Sequence, residues 1–255
     1  MALHLEIVPC LRDNFAFLIH DPSTGATGVV DVPDAEPVLA ALKARDWTLT
    51  DVLLTHHHGD HVGGVPDLLS AFGSKPPRVI GAEADAARLP PLDRQVAEGS
   101  TVAVGDCVAH VLDVSGHTVG HIAYHFPDSR LVFTGDSLMA MGCGRLFEGD
   151  APLMWDSLSK IVALPDATRV CSGHDYLLAN GRFAATVDPD NAEAAARISG
   201  HAADRDAAVH VTLAQEKATN PFLRADNPGV RAAVGMKDDP VMEVFAELRR
   251  RKDAF

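Results

Sequence analysis

Thr55-His56-His57-His58-Gly59-Asp60-His61 places four imidazoles and a carboxylate within seven residues, at the end of the apolar run Asp51–Thr55 (D-V-L-L-T). The run reads as a strand, and a loop just past a strand end is where a sheet presents side chains for chemistry. On an extended backbone alternate side chains share a face, so His56 and His58 point together while His57 points away. Gly59 lets the chain turn, and Asp60 and His61 can then address the same space from the other side. Mixed imidazole and carboxylate donors suit Zn, Fe or Mn. Taken alone, the stretch could also be a solvated polar loop.

The flanking sequence supplies what a metal pair still lacks. S-G-H-T-V-G-H holds His117 and His121, F-T-G-D-S holds Asp136, and C-S-G-H-D-Y holds His174. Each of His117, Asp136 and His174 follows a strand-like run and sits beside glycine. With His56, His58, Asp60 and His61 they make seven N and O donors. A tetrahedral structural site takes four, whereas seven, with one carboxylate bridging, is the number for two metals. His57 is read as facing away. His121 is read as steadying the loop that carries His117, because ligating histidines need supporting partners. His4, His20, His110, His125, His201 and His210 are surface or satisfied core positions.

Beyond the donors, the chain reads as short strands to about residue 175 and as helices thereafter. Strands are expected at Leu3–Val8, Phe15–Ile19, Thr27–Val32, Arg78–Gly81, Thr101–Val104, Cys107–Asp113, His121–Phe126, Leu131–Thr134 and Val170–Ser172, the last convincing one. Asp34 and Asp150 open helices, and Asp190 with Glu193 resembles a capping box. The N-P pairs at Asn220-Pro221 and Asn227-Pro228 stop helices in the tail. The organisation expected is α+β: an αββα layered, metal-binding catalytic domain over 1–175 and a small helical, substrate-binding domain over 176–255.

Composition narrows the partners. The 255 residues carry 35 Asp and Glu against 22 Lys and Arg, a net charge of −13, which repels nucleic acid and anionic lipid. No apolar run of 18 residues predicts a membrane span. The start, M-A-L-H-L-E-I-V-P, lacks a basic region followed by an apolar stretch, so a cytoplasmic protein without a signal peptide is expected. Cys10, Cys107, Cys143 and Cys171 are far apart, which disfavours a zinc knuckle or a disulfide scaffold. A monomer is the default expectation.

H-x-H-x-D-H, then G-H-T-x-G-H, T-G-D and S-G-H, resemble the metallo-β-lactamase superfamily. More narrowly, G-C-G-R-L-F-E-G at 142–149, H-D-Y, N-P-F-L-R at 220–224 and the closing R-R-R-K-D-A-F resemble the hydroxyacylglutathione hydrolases, or glyoxalase II enzymes. The resemblance implies an αββα sandwich with its metals at one edge of two packed sheets. It implies that His56, His58 and His117 hold one metal, Asp60, His61 and His174 a second, and that Asp136 bridges both. Two divalent ions are implied, zinc first, with iron or manganese as alternatives. The activity implied is hydrolysis of S-(2-hydroxyacyl)glutathione, such as S-lactoylglutathione, to glutathione and lactate. A metal-bridging hydroxide that Asp60 orients would attack, as the second step of glyoxalase methylglyoxal detoxification. Arg145, Phe147, Tyr176, Arg249 and Lys252 are implied glutathione contacts. Many members carry Lys and Tyr where this chain has Arg145 and Phe147; Arg keeps the cation, and Phe keeps the ring without the hydroxyl.

A thioester suits such a site, since a thiol with a pKa of about 8.5 leaves as thiolate without a strong general acid. Glutathione also needs a local cationic pocket on an acidic protein. From Pro240, Val241, Val244, Phe245 and Leu248 form an apolar stripe. At 100° per residue Lys252 falls within about 20° of Val241 and Arg249 within about 80°, with Arg250 on the opposite side. A basic helix end complementing the helix dipole is the plainer explanation of the same run. Among competing activities, a one-iron persulfide dioxygenase would not need Asp60, His61 and His174 as a second site. A nuclease would need a basic face, and a non-catalytic relative would be expected to have lost ligands.

Overall fold

A computed structural model describes residues 2–201 and 208–255. They fall into two compact units: Met1–Asp113 with Val119–Gly135, and Val114–Thr118 with Asp136–Phe255.

The first unit begins with β1 (His4–Cys10), β2 (Asn14–His20) and β3 (Ala26–Val30), joined antiparallel. The turn after β2 is an Asx turn, as D-P-S-T-G suggests, with the Asp21 carboxylate accepting from Ser23 N–H at 2.9 Å. The sheet continues through β4 (Thr48–Leu53), β5 (Arg78–Ala82) and β6 (Arg94–Val96), all parallel, in the order β1-β2-β3-β4-β5-β6. A parallel step from β3 to β4 requires a crossover, and helix α1 (Ala35–Arg45) supplies it. Asp34 caps α1 by accepting from Glu36 N–H, and Val38 and Leu42 are buried on its inner stripe. They join Leu18, Val29, Val52, Val65 and Leu68 in one apolar core. Two short helices, α2 (Gly59–Val62) and α3 (Val65–Ala71), follow the histidine loop. An antiparallel run, β7 (Thr101–Val104), β8 (Cys107–Asp113), β9 (Ile122–Phe126) and β10 (Leu131–Gly135), completes the unit.

The second unit opens with a minimal hairpin, β11 (Leu138–Met139) and β12 (Gly142–Cys143), which periodicity does not announce. Helix α4 (Ala151–Val162) is capped by Asp150, which accepts from Leu153 N–H, and buries Met154, Leu158 and Ile161. Strand β13 (Arg169–Ser172), helices α5 (Leu177–Val187) and α6 (Ala192–His201), the short β14 (Val211–Thr212) paired to β13, then α7 (Leu213–Thr219), α8 (Pro228–Val234) and α9 (Val241–Ala254) follow. The start of α6 differs from expectation: Asn191, not Asp190, accepts from Ala194 N–H at 3.0 Å. Asn191 stands three residues before that amide, the reach its side chain needs. Among the described residues no helix is long and apolar enough to cross a membrane.

Candidate metal centre

The first unit builds one set of donors on the loop after β4. The chain stays extended through His58, whose φ and ψ are −60° and 141°, and turns into α2 at Gly59. His56 and His58 accordingly face each other, ring centroids 4.8 Å apart, and His61 closes on His56 at 4.1 Å. His57 points away and pairs through Nδ1 with Asp85 at 2.8 Å. His56 and His61 are fully buried.

Each ring is fixed from behind. His56 Nδ1 lies 3.0 Å from Thr55 Oγ1, and His61 Nδ1 lies 2.8 Å from Asp31 Oδ2. Asp31 also accepts from Thr55 N–H and from the Thr55 hydroxyl, both at 2.8 Å. Its donor atom lies within 4.8 Å of those of His56 and His61. Both of its oxygens are nonetheless engaged by protein donors, so it acts as an orienter of the His61 ring and of Thr55 behind His56. Asp31 sits at φ 56°, in the left-handed region, where Asp is tolerated better than most residues. Asn14 donates to the Asp60 backbone carbonyl at 2.9 Å and to its carboxylate at 3.2 Å. His121, expected to steady the loop that carries His117, stacks on the His56 ring at 4.5 Å and 16°.

The second unit builds the other donors. His117 Nε2 lies 3.5 Å, and His174 Nε2 3.4 Å, from the same Asp136 oxygen. These separations exceed an ordinary hydrogen bond. Each fits a pair of donors sharing an ion, since two donors on a tetrahedral ion with 2.0–2.2 Å bonds stand roughly 3.4 Å apart. Asp136, His117 and His174 are all buried. His117 Nδ1 meets the Arg145 carbonyl at 2.7 Å, and a carbonyl can only accept, so Nδ1 donates there and the ring is held with Nε2 toward Asp136. Gly144 permits this packing: a Cβ there would sit 2.0 Å from the Asp136 carbonyl oxygen and 3.0 Å from His117 Nδ1.

The cations separate by environment. Lys252 is half-buried, and its ammonium lies 5.7 Å from the Phe183 ring and 5.3 Å from the Phe255 ring. Burial lowers its pKa below the free value of 10.5, and repulsion from Arg249, Arg182 and Arg145 adds to the shift. The second unit thus concentrates positive charge despite the acidic chain. Arg249 is buried, donates to the Cys143 carbonyl and to Asp253, both at 2.8 Å, and stacks on Phe222. Arg145 and Phe147 are exposed; Phe147 lies edge-on to His117 at 5.3 Å. Tyr176 stacks on His174 at 4.6 Å and 11°. Arg250 is exposed and bound to Glu247.

All four cysteines are buried. Burial raises the Cys143 thiol despite nearby Arg249, so it is no thiolate nucleophile.

Asp31, Thr55, Asn14, Asp85 and Arg182 were not singled out from sequence. Asp31 alone left a signal, a carboxylate ending an apolar run (G-V-V-D-V-P).

A model of the metallo-beta-lactamase superfamily matches residues 13–174, and a model of the hydroxyacylglutathione hydrolase C-terminus matches 175–255. A hydroxyacylglutathione hydrolase of Cereibacter sphaeroides is 59% identical over 258 residues, covering all of both chains. Among solved structures, ETHE1 from Myxococcus xanthus matches with a TM-score of 0.65 and 26% identity, over 98% of this chain and 90% of that one. TTHA1623 in a di-iron-bound form matches with a TM-score of 0.57 and 28% identity, over 67% of this chain and 91% of that one. The chain has the metallo-β-lactamase fold and belongs to the hydroxyacylglutathione hydrolase family of that superfamily.

Proposed function

We propose that this chain hydrolyses S-(2-hydroxyacyl)glutathione thioesters, S-lactoylglutathione foremost, to glutathione and the 2-hydroxy acid. Full-length kinship with hydroxyacylglutathione hydrolases, on a chain that keeps every donor, carries the reading. His56, His58 and His117 would hold one divalent ion, Asp60, His61 and His174 a second, with Asp136 shared. The donor chemistry fits zinc first, and iron or manganese as alternatives. Bound there, the ions would lower the pKa of water and polarise the thioester carbonyl.

The remaining steps belong to the chain. Asn14 holds Asp60 at both carbonyl and carboxylate, so Asp60 is set to orient the attacking water. Water gives up a proton and adds its oxygen to the acyl carbon, the carbon–sulfur bond breaks, and the thiolate leaves unaided because its conjugate acid, with a pKa of about 8.5, is far more acidic than an alcohol or an amine. Lys252, Arg145 and Tyr176 grip the glutathione part, Phe147 flanks it, and Arg249 contributes its charge from beneath. The division at about residue 175, catalytic before it and substrate-binding after, is supported by where the two family models meet. A cytoplasmic, monomeric chain is part of the same proposal, in keeping with its buried cysteines and its net charge of −13.

Thiol release from S-lactoylglutathione, without added cofactor beyond the metals, tests the activity. Oxygen uptake with glutathione persulfide and no thioester cleavage would move the assignment to a dioxygenase.

A further inference from the structure

The β11–β12 hairpin is held almost entirely by side chains from far along the chain. Asn220 Nδ2 donates to the Met139 carbonyl at 3.3 Å and to the Gly142 carbonyl at 2.9 Å. Asn180 donates to the Ala140 carbonyl at 2.9 Å, Glu216 accepts from Met141 N–H at 3.1 Å, and Arg249 donates to the Cys143 carbonyl. Five consecutive residues, 139–143, thus each have a backbone polar group taken by a helical-segment side chain. All five are buried, where an unmet backbone group is costly. Met141 is also in the left-handed region at φ 54°, a strained position for a long side chain.

Glu216 is the hub. It is fully buried, its other oxygen takes Arg197 Nη2 at 2.5 Å, and it accepts from Asn220 at 3.0 Å. Arg197 is fixed in turn by Thr219. A buried carboxylate needs pairing and hydrogen bonds; Arg197 pairs with one oxygen of Glu216, and the other accepts from Met141 N–H and from Asn220, which itself holds the loop.

That loop runs from Asp136 to Arg145. Its first residue is the carboxylate facing His117 and His174, and its last supplies the carbonyl that holds the His117 ring. We propose that Glu216 is a positioning residue: through Met141 N–H and Asn220 it sets the Asp136–Arg145 segment, and so the donor geometry of Asp136 and His117. The proposal rests on the reading of those two residues as metal ligands.

The test compares wild type with Glu216→Gln, which keeps size and removes the charge, and Asn180→Ala, which loosens the same loop at Ala140. Thermal melts of metal-free protein establish folding. Zinc affinity is then read by chelator competition, and ligand geometry by the absorption spectrum of the cobalt(II) form. A merely structural role lowers the melting temperature and leaves folded protein with wild-type zinc affinity and cobalt spectrum; that result overturns the proposal. The expected result is weakening of about tenfold for Glu216→Gln, the lower end for groups that orient ligands, with a moved cobalt band. Asn180→Ala should change both in the same sense by less, and it decides the matter if Glu216→Gln does not fold. Unchanged zinc affinity in Asp136→Ala would instead refute the ligand reading itself.

Discussion

Replacing Lys252 with Ala separates substrate binding from helix capping. The Lys252 ammonium donates one long bond, 3.3 Å, to the Ala179 carbonyl, and its pKa is lowered by burial and by three neighbouring arginines. A cation so placed is poorly satisfied until an anion arrives, and a glutathione carboxylate is such an anion. A charge-assisted hydrogen bond contributes about 1.5–3 kcal/mol, which is roughly ten- to hundredfold in kcat/KM at 1.4 kcal/mol per decade. The loss should fall on KM if the contact is equal in ground and transition states. Arg250→Ala removes a charge from the same helix end, but that guanidinium is exposed and engaged with Glu247, so KM should stay near wild type. Arg249→Ala differs from both. The sequence ranks Arg249 with Lys252, yet its terminal nitrogens are committed to Cys143 and Asp253. Its removal should cost about 2–4 kcal/mol of stability. Steady-state kinetics on S-lactoylglutathione, with thermal melts of the same proteins, reads all three. Equal, small KM effects at Lys252 and Arg250 would refute a carboxylate-binding Lys252.

Asp136→Ala should be the most damaging single ligand change, with metal content by elemental analysis falling more than in any single histidine variant. Gly144→Ala forces a methyl against the Asp136 carbonyl and His117, and should lower both metal content and kcat; retention of both would exclude a strict steric need there. Because the Lys252 pKa lies below 10.5, its charge is lost earlier than a free lysine's as pH rises. KM for the anionic substrate should therefore climb on the alkaline side, and Lys252→Arg should flatten that climb. Glu247, held at about 2 against an ordinary 4.5 by hydrogen bonds from Arg250 and Arg251, stabilises the fold above about pH 4.5 and loses that contribution as pH falls toward 2. The melting temperature of Glu247→Gln should consequently fall below wild type at pH 7 and converge on it near pH 2.

The candidate donors stand out because their signal is local. Strand, glycine and candidate donor lie within a few residues of one another at His56–His61, His117, Asp136 and His174. The caps at Asp34 and Asp150 were legible for the same reason, since the capped amide lies two or three residues on. The supports were not. Asp31 reaches Thr55 and His61 across 24 and 30 positions, and Glu216 reaches Met141 across 75; no spacing rule connects such pairs. The β11–β12 hairpin is too short to show alternation, and its stability comes from remote side chains, not from its own sequence. At α6 the competition was local but close: Asp190 and Asn191 are both good caps, and register alone decided for Asn191. Arg249 shows the converse limit, because helical periodicity places a side chain on a face and says nothing about which partner takes its hydrogen bonds.

The most direct test of the central claim is a titration of metal-free protein with zinc, following S-lactoylglutathione cleavage against metal bound per chain. The account predicts that cleavage rises to a plateau at two metals per chain. Full activity at one metal per chain, or no thioester cleavage at two, would contradict it.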